Sequence, residues 1–135
     1  MTEAVGNVRV MVIDDSNTIR RSAEIFLKHA GHAVILAEDG FDALAKIADH
    51  HPDIIFVDIM MPRLDGYQTC SLIKKNSYFK ATPVIMLSSK DSLFDRARGR
   101  MVGSDEYLTK PFTKETLLRA VQAHALKPGQ TSETN

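Results

Sequence analysis

The sequence predicts an α/β fold, a parallel sheet with helices packed on both faces. Two observations carry that prediction. Five short apolar runs alternate with five amphipathic stretches of helical period, the pattern of repeated strand–helix–strand units. The middle run, Ile54-Ile55-Phe56-Val57, is apolar on both faces, as a central parallel strand must be when helices cover both sides.

Val8 to Ile13 is β-branched and apolar apart from Arg9, and reads as the first strand. Ser16 to Ala30 carries Ile19, Ala23, Phe26, Leu27 and Ala30 at helical spacing, and Gly31 stops that helix. Ala33 to Ala37 is the second strand. Asp39-Gly40 opens a helix that turns Leu44, Ile47 and Ala48 inward. His51-Pro52 closes it, because a residue before proline avoids the helical region. The third strand runs into Asp58, and a loop with Pro62 and Gly66 leads to a helix over about Tyr67 to Asn76. Pro83 to Leu87 is the fourth strand, with proline first, where a missing N–H does least harm. A helix spans about Ser92 to Met101 before Gly103. Glu106 to Thr109 is a short fifth strand, and Thr113 N-caps a last helix reaching Ala125. Residues 1–7 read as a tail, 8–126 as one domain and 127–135 as a polar, disordered tail.

The 135 residues suit one domain able to bury its own core. Lys+Arg and Asp+Glu both number 17, so no net field attracts nucleic acid. The lone cysteine, Cys70, excludes an intrachain disulfide and suits a reducing cytosol. The first residues lack the basic head and apolar stretch of a secretory leader, and no apolar run approaches the ~18 residues of a membrane span. The expectation is a soluble, cytoplasmic monomer that neither binds nucleic acid nor inserts into a membrane.

Right-handed crossovers place all strand C-termini along one edge, and ligands of such sheets bind outside that edge. Asp14 and Asp15 close the first strand, Asp58 the third, Ser88 and Ser89 the fourth, and Lys110-Pro111 the fifth. Clustered carboxylates repel unless a cation sits among them. Oxygen ligands with room for water and a phosphate oxygen suit Mg²⁺. A lysine and a hydroxyl nearby suit an incoming phosphoryl group.

Taken singly, these residues are ordinary. Asp58 reads as a turn former, Asp14-Asp15 as a helix start and Lys110 as a solvated lysine. Their joint arrival at the ends of different strands is what no capping rule explains. The side chains of Met60 and Met61 read as loop and core filler, and Cys70 as a small buried residue. Arg96, Arg98 and Arg100 read as a solvated helix face. The histidines show no metal-ligand spacing. Ser88 lacks a base partner and a nucleophile elbow, which excludes a hydrolase.

Val-Ile-Asp14-Asp15, Asp58-Ile-Met-Met-Pro-Arg-Leu-Asp-Gly66, Ser88 and Lys110-Pro111-Phe112, in this order and spacing, resemble the receiver domains of two-component response regulators. The resemblance covers about Val8 to Ala125. At a finer grain, Met61-Pro-Arg-Leu-Asp-Gly-Tyr-Gln-Thr-Cys70 and Val102-Gly-Ser-Asp-Glu-Tyr-Leu-Thr-Lys-Pro-Phe112 resemble the stand-alone receivers of type IV pilus twitching motility.

The resemblance implies a flavodoxin-like, doubly wound sheet of strand order 2-1-3-4-5 with five helices. It makes Asp58 the phosphoacceptor. Mg²⁺ would be held by Asp15 and Asp58, by Asp14 mainly through water, and by the backbone carbonyl of Met60. Ser88, with Ser89 beside it, and Lys110 would contact the phosphoryl group, and Tyr107 would be the switch aromatic, swinging inward. The Lys110–Pro111 bond would be cis. The donor would be the phosphohistidine of a chemotaxis-type histidine kinase, and the slowly self-hydrolysing product makes the chain a substrate more than an enzyme. An effector would dock on the face formed by the fourth helix, fifth strand and fifth helix; the alternative is a phosphate relay or sink without an effector. No output domain is expected after the fifth helix. Serine at position 88, where the family often has threonine, keeps the hydroxyl and loses a methyl, implying looser coupling.

Overall fold

The structure is a computed structural model, and it describes residues 7–89 and 93–125. The expected tails, apart from Asn7, and the Ser92 start of the fourth helix fall outside these residues. The elements run β1 (Arg9–Ile13), α1 (Asn17–His29), β2 (Ala33–Ala37), α2 (Gly40–His50), β3 (Ile54–Asp58), α3 (Gly66–Lys75), β4 (Val84–Ser88), α4 (Leu93–Met101), β5 (Glu106–Thr109) and α5 (Lys114–His124). All strand pairs are parallel, in the order β2-β1-β3-β4-β5, so the order reverses at β1 and β3. That is the expected doubly wound sheet.

Strand side chains alternate between two cores. On one side Met11, Ile13, Ile55, Val57 and Met86 pack with Ala43, Ile47, Cys70 and Ile73 of α2 and α3. On the other, Val10, Val12, Phe56, Ile85 and Leu87 pack with Ala23 and Leu27 of α1 and Leu117 and Val121 of α5. Every residue of β3 and β4 is buried, which explains why neither run shows polar alternation. The helix α4 stands apart, since Gly99 is its only buried residue.

Helix starts follow local capping chemistry. Ser16, Asp39, Asp65 and Thr113 each accept a backbone N–H of the first turn. The Asp65–Gln68 pair closes a full capping box. Several details differ from expectation. Ala48 and Ala30 are exposed, and Ala43 takes the inward position on α2. Asn76 is the C-cap of α3, with extended backbone, instead of its last turn. His51 leaves the right-handed helical region for the left-handed one, at φ 47°, not for extended backbone. Pro83 precedes β4, yet its carbonyl already accepts the Ile55 N–H at 2.9 Å.

Candidate functional site

The rim residues arrive from the C-terminal ends of β1, β3, β4 and β5, on either side of the point where strand order reverses. Asp14 is fully buried. Its Oδ1 accepts the Ser16 N–H at 2.8 Å, so the same turn that caps α1 fixes this carboxylate. Asp15 beside it is exposed. Asp58 ends β3 and is buried. Asp14, Asp15 and Asp58 each offer one oxygen within 4.8 Å of the others, so the structure brings all three together.

Lys110 reaches into this cluster. Its Nζ donates to Asp58 Oδ1 at 3.0 Å and to Asp14 Oδ2 at 3.2 Å. The Lys110–Pro111 bond is cis. The Lys110 N–H donates to the Ser88 carbonyl at 2.7 Å, which ties the lysine's backbone to the end of β4. Ser88 itself is buried, whereas Ser89 is exposed.

One ammonium faces three carboxylates, and the balance shows in the acidities. Burial pushes the Asp58 carboxyl up to about 6, the Asp14 charge pushes the same way, and Lys110 opposes them only in part. Burial lowers the Lys110 ammonium, but its hydrogen bond to Asp58 and the charges of Asp14 and Asp58 outweigh that. Its pKa is raised. An all-oxygen cluster short of positive charge fits a hard divalent cation such as Mg²⁺.

The loop from β3 to α3 is held by close approach. The Gly66 N–H donates to the Ile59 carbonyl at 2.9 Å. A Cβ at Gly66 would lie 2.4 Å from the Asp58 carbonyl oxygen and 2.7 Å from Ile59 Cα. Gly66→Ala is therefore expected to lower unfolding free energy by about 1–3 kcal/mol, read from urea denaturation; an unchanged midpoint would show that the loop yields. Within the same loop Arg63 takes φ 70°, and the Leu64 N–H donates to the Pro62 carbonyl at 2.7 Å. This tight three-residue turn sits at a non-glycine, so no glycine marks it in the sequence.

Met60 is exposed and Met61 buried, matching their reading as loop and core. Cys70 is buried, and burial raises its thiol to about 11, which leaves it inert. The arginines of α4 carry more than their exposure. The Arg96 guanidinium lies 4.9 Å from the centroid of the buried Tyr107 ring, and that of Arg98 lies 4.2 Å from Tyr67. Arg98 and Arg100 remain exposed, as a solvated face requires, and Arg96 is half-buried; two of the three add an aromatic contact. Sequence reasoning also missed Arg20, whose Nη1 donates to the Asp14 carbonyl. It missed the Asp65–Gln68 capping box too, although the Asp-x-x-Gln spacing announces it.

The response regulator receiver domain family matches residues 10–122. Protein PilG of Pseudomonas aeruginosa is 73% identical over 124 residues, which cover 92% of each chain. Response regulator MprA of a Mycobacterium species (strain KMS) is 40% identical over 116 residues, 86% of this chain and 50% of MprA, so the chain spans about half of that relative. Among solved structures, the chemotaxis protein CheY4 of Vibrio cholerae matches with a TM-score of 0.85 and 35% identity, over 88% of this chain and 99% of its own. No helix among the described residues is long and apolar enough to cross a membrane.

Proposed function

This chain belongs to the response regulator receiver domain family, and on that premise we propose that it is a cytoplasmic phospho-switch modified on Asp58. The receiver occupies residues 8–126, and the phosphoryl group comes from the phosphohistidine of a chemotaxis-type histidine kinase. One observation carries this reading. Asp58 is a buried carboxylate with its pKa raised to about 6, joined to Asp14 through a single lysine ammonium. A structural aspartate at a strand end does not need two further carboxylates and a lysine beside it.

The roles follow from position. Asp58, ionised at neutral pH, supplies the attacking oxygen. Lys110 neutralises charge on the transferring group, and the Ser88 hydroxyl donates to one of its oxygens. Ser89, exposed beside Ser88, is a second hydroxyl for the phosphoryl group. Asp15 and Asp58, with Asp14 mainly through water and the Met60 carbonyl, would hold Mg²⁺, which would supply the positive charge that Lys110 alone does not. Tyr107, packed under Arg96, reports the state of Ser88 to the surface formed by α4, β5 and α5, where an effector docks. Shifting the population from mostly inactive to mostly active takes roughly 3–5 kcal/mol of differential interaction.

Identity of 73% to PilG supports control of type IV pilus twitching motility as the output. The chain as a phosphate relay or sink is the second reading, and partner capture separates the two. Immobilised protein treated with beryllium fluoride and Mg²⁺ is expected to retain a partner that untreated protein releases. If no partner depends on the phosphate mimic, the effector reading fails and the relay stands.

A further inference from the structure

We propose that Arg20 is a positioning residue for the metal site, holding the turn from β1 to α1 so that the Asp15 carboxylate stays beside those of Asp14 and Asp58. This role rests on the reading of Asp15 as a Mg²⁺ ligand. The Arg20 side chain donates to none of the three carboxylates. Its two hydrogen bonds run to the Asp14 carbonyl and to the Asn17 side chain.

Asp14 and Asp58 are fixed by burial and by Lys110, but Asp15 is exposed. Among the described residues none donates a hydrogen bond to the Asp15 carboxylate, so the backbone that carries it sets its direction. Two peptide groups flank it, and both are held. In the one before, the Asp14 carbonyl accepts from Arg20 Nη1. In the one after, the Ser16 N–H donates to Asp14 Oδ1 at 2.8 Å. Arg20 grips the same turn a second time, as its own backbone N–H donates to the Ser16 carbonyl at 3.0 Å. Its Nη2 donates to Asn17 Oδ1 at 3.3 Å, so two nitrogens of one planar fork lie against the turn. With the Asp14 carbonyl released, the peptide between Asp14 and Asp15 is free to rotate, and the Asp15 side chain swings with it.

Charge alone would give Arg20 the opposite effect. A guanidinium near the cluster repels an incoming cation, so an Arg20 acting only through its charge would weaken Mg²⁺ binding. The charges that move the Asp58 acidity are those of Asp14, Lys110 and Asp15, and Arg20 is not among them. Its bond is aimed at the backbone that orients a ligand. Groups that orient metal ligands without touching the metal are typically worth roughly 10–100-fold in affinity. The sign of the change on removing Arg20 therefore separates positioning from repulsion.

The test follows Mg²⁺ binding to the full isotope-labelled chain through the amide shifts of Asp15 and Asp58, with no phosphoryl donor present. Arg20→Met keeps the apolar stem and removes the donors, and is expected to raise the Mg²⁺ dissociation constant by roughly tenfold or more. Arg20→Gln is the second variant, with the same expected direction, should the first not fold. Arg20→Lys restores a donor without the fork and is expected to recover part of the loss. Arg21→Ala removes the same charge from the exposed next position and is expected to change the constant by less than about twofold. In chelator, Arg20→Met should speed hydrogen exchange of the Ser16 amide while the Val57 amide of β3 keeps its protection. Unchanged Mg²⁺ binding by the folded variants would overturn the proposal and leave the bond to the Asp14 carbonyl purely structural. Tighter binding would overturn it by making Arg20 a repelling charge, and equal weakening in Arg21→Ala would do so by assigning the effect to α1 as a whole. Asp15→Asn, titrated alongside, separates the two levels. If it leaves Mg²⁺ binding unchanged, the reading of Asp15 as a ligand fails and this proposal with it; if it weakens binding and Arg20→Met does not, only the role of Arg20 fails.

Discussion

Incubated with acetyl phosphate and Mg²⁺, the wild-type chain is expected to gain the mass of one phosphoryl group, and Asp58→Ala to gain none. The balance is simple. A carboxylate oxygen of Asp58 forms a bond to phosphorus as the donor's bond to phosphorus breaks, and the acetate departs with its electron pair. Phosphoryl transfer of this kind depends on alignment and charge neutralisation, and needs no protein base. Asp58 is ionised above about pH 6, so the nucleophile is ready at neutral pH. Lys110 already holds its ammonium 3.0 Å from Asp58 Oδ1. Lys110→Met is expected to slow labelling by roughly 100-fold, while Asp15→Asn raises the Mg²⁺ concentration required. The label should be lost at alkaline pH, as an acyl phosphate is and a serine phosphate is not. A label retained by Asp58→Ala would move the acceptor elsewhere, and labelling undiminished by chelator would remove the metal from the scheme.

The fold was legible because its signals are local and repeated. Fully apolar runs such as Ile54 to Val57 and Pro83 to Leu87 mark buried strands, and Thr113 marks the start of the last helix. The strand order was not legible from periodicity alone and came through the resemblance to receivers. The cluster of Asp14, Asp15, Asp58 and Lys110 could be read because each residue ends a strand, and parallel strands end together. What stayed hidden depends on side-chain reach. Arg96 and Arg98 look like solvent-facing charges in sequence, but long stems let their guanidinium groups fold back onto Tyr107 and Tyr67. Arg20 returns to the Asp14 carbonyl across more than one helical turn, a contact no short motif encodes. The outward apolar side of α4 was also missed, because helical spacing reports a stripe without saying which way it faces.

Removing the charge of Asp58 is expected to stabilise the metal-free protein, the opposite of what deleting a buried hydrogen-bonded group normally does. Burial, then repulsion from Asp14, raises the Asp58 pKa from 3.8 to about 6, with Lys110 compensating only partly. The folded state therefore binds this proton more tightly than the unfolded chain. Where Asp58 is protonated in both states, below its unfolded pKa, it imposes no penalty. As pH rises from about 4 to about 6 the folded state is progressively destabilised, and above that the full penalty, on the order of 2–3 kcal/mol, remains. Asn at this position keeps the shape and removes the charge. In chelator at pH 7.5, Asp58→Asn should melt above wild type by roughly 5–10 °C. The gap should shrink as pH is lowered through 6, because wild type then becomes neutral at the same atom. Mg²⁺ should close it from the other side, since a cation that binds only the folded state adds stability to wild type in proportion to its saturation. Thermal melts of both proteins at pH 7.5 and 5, with chelator and with Mg²⁺, measure all of this. A variant no more stable than wild type in chelator at pH 7.5 would mean that Lys110 already neutralises the cluster, and that the demand for a cation rests on the incoming phosphoryl group alone. A gap that persists unchanged at pH 5 would instead assign the stabilisation to packing of the amide. The expected pattern, with proton and Mg²⁺ each reducing the same difference, would show that burying the Asp58 charge beside Asp14 both destabilises the metal-free fold and prepares the site to take its metal.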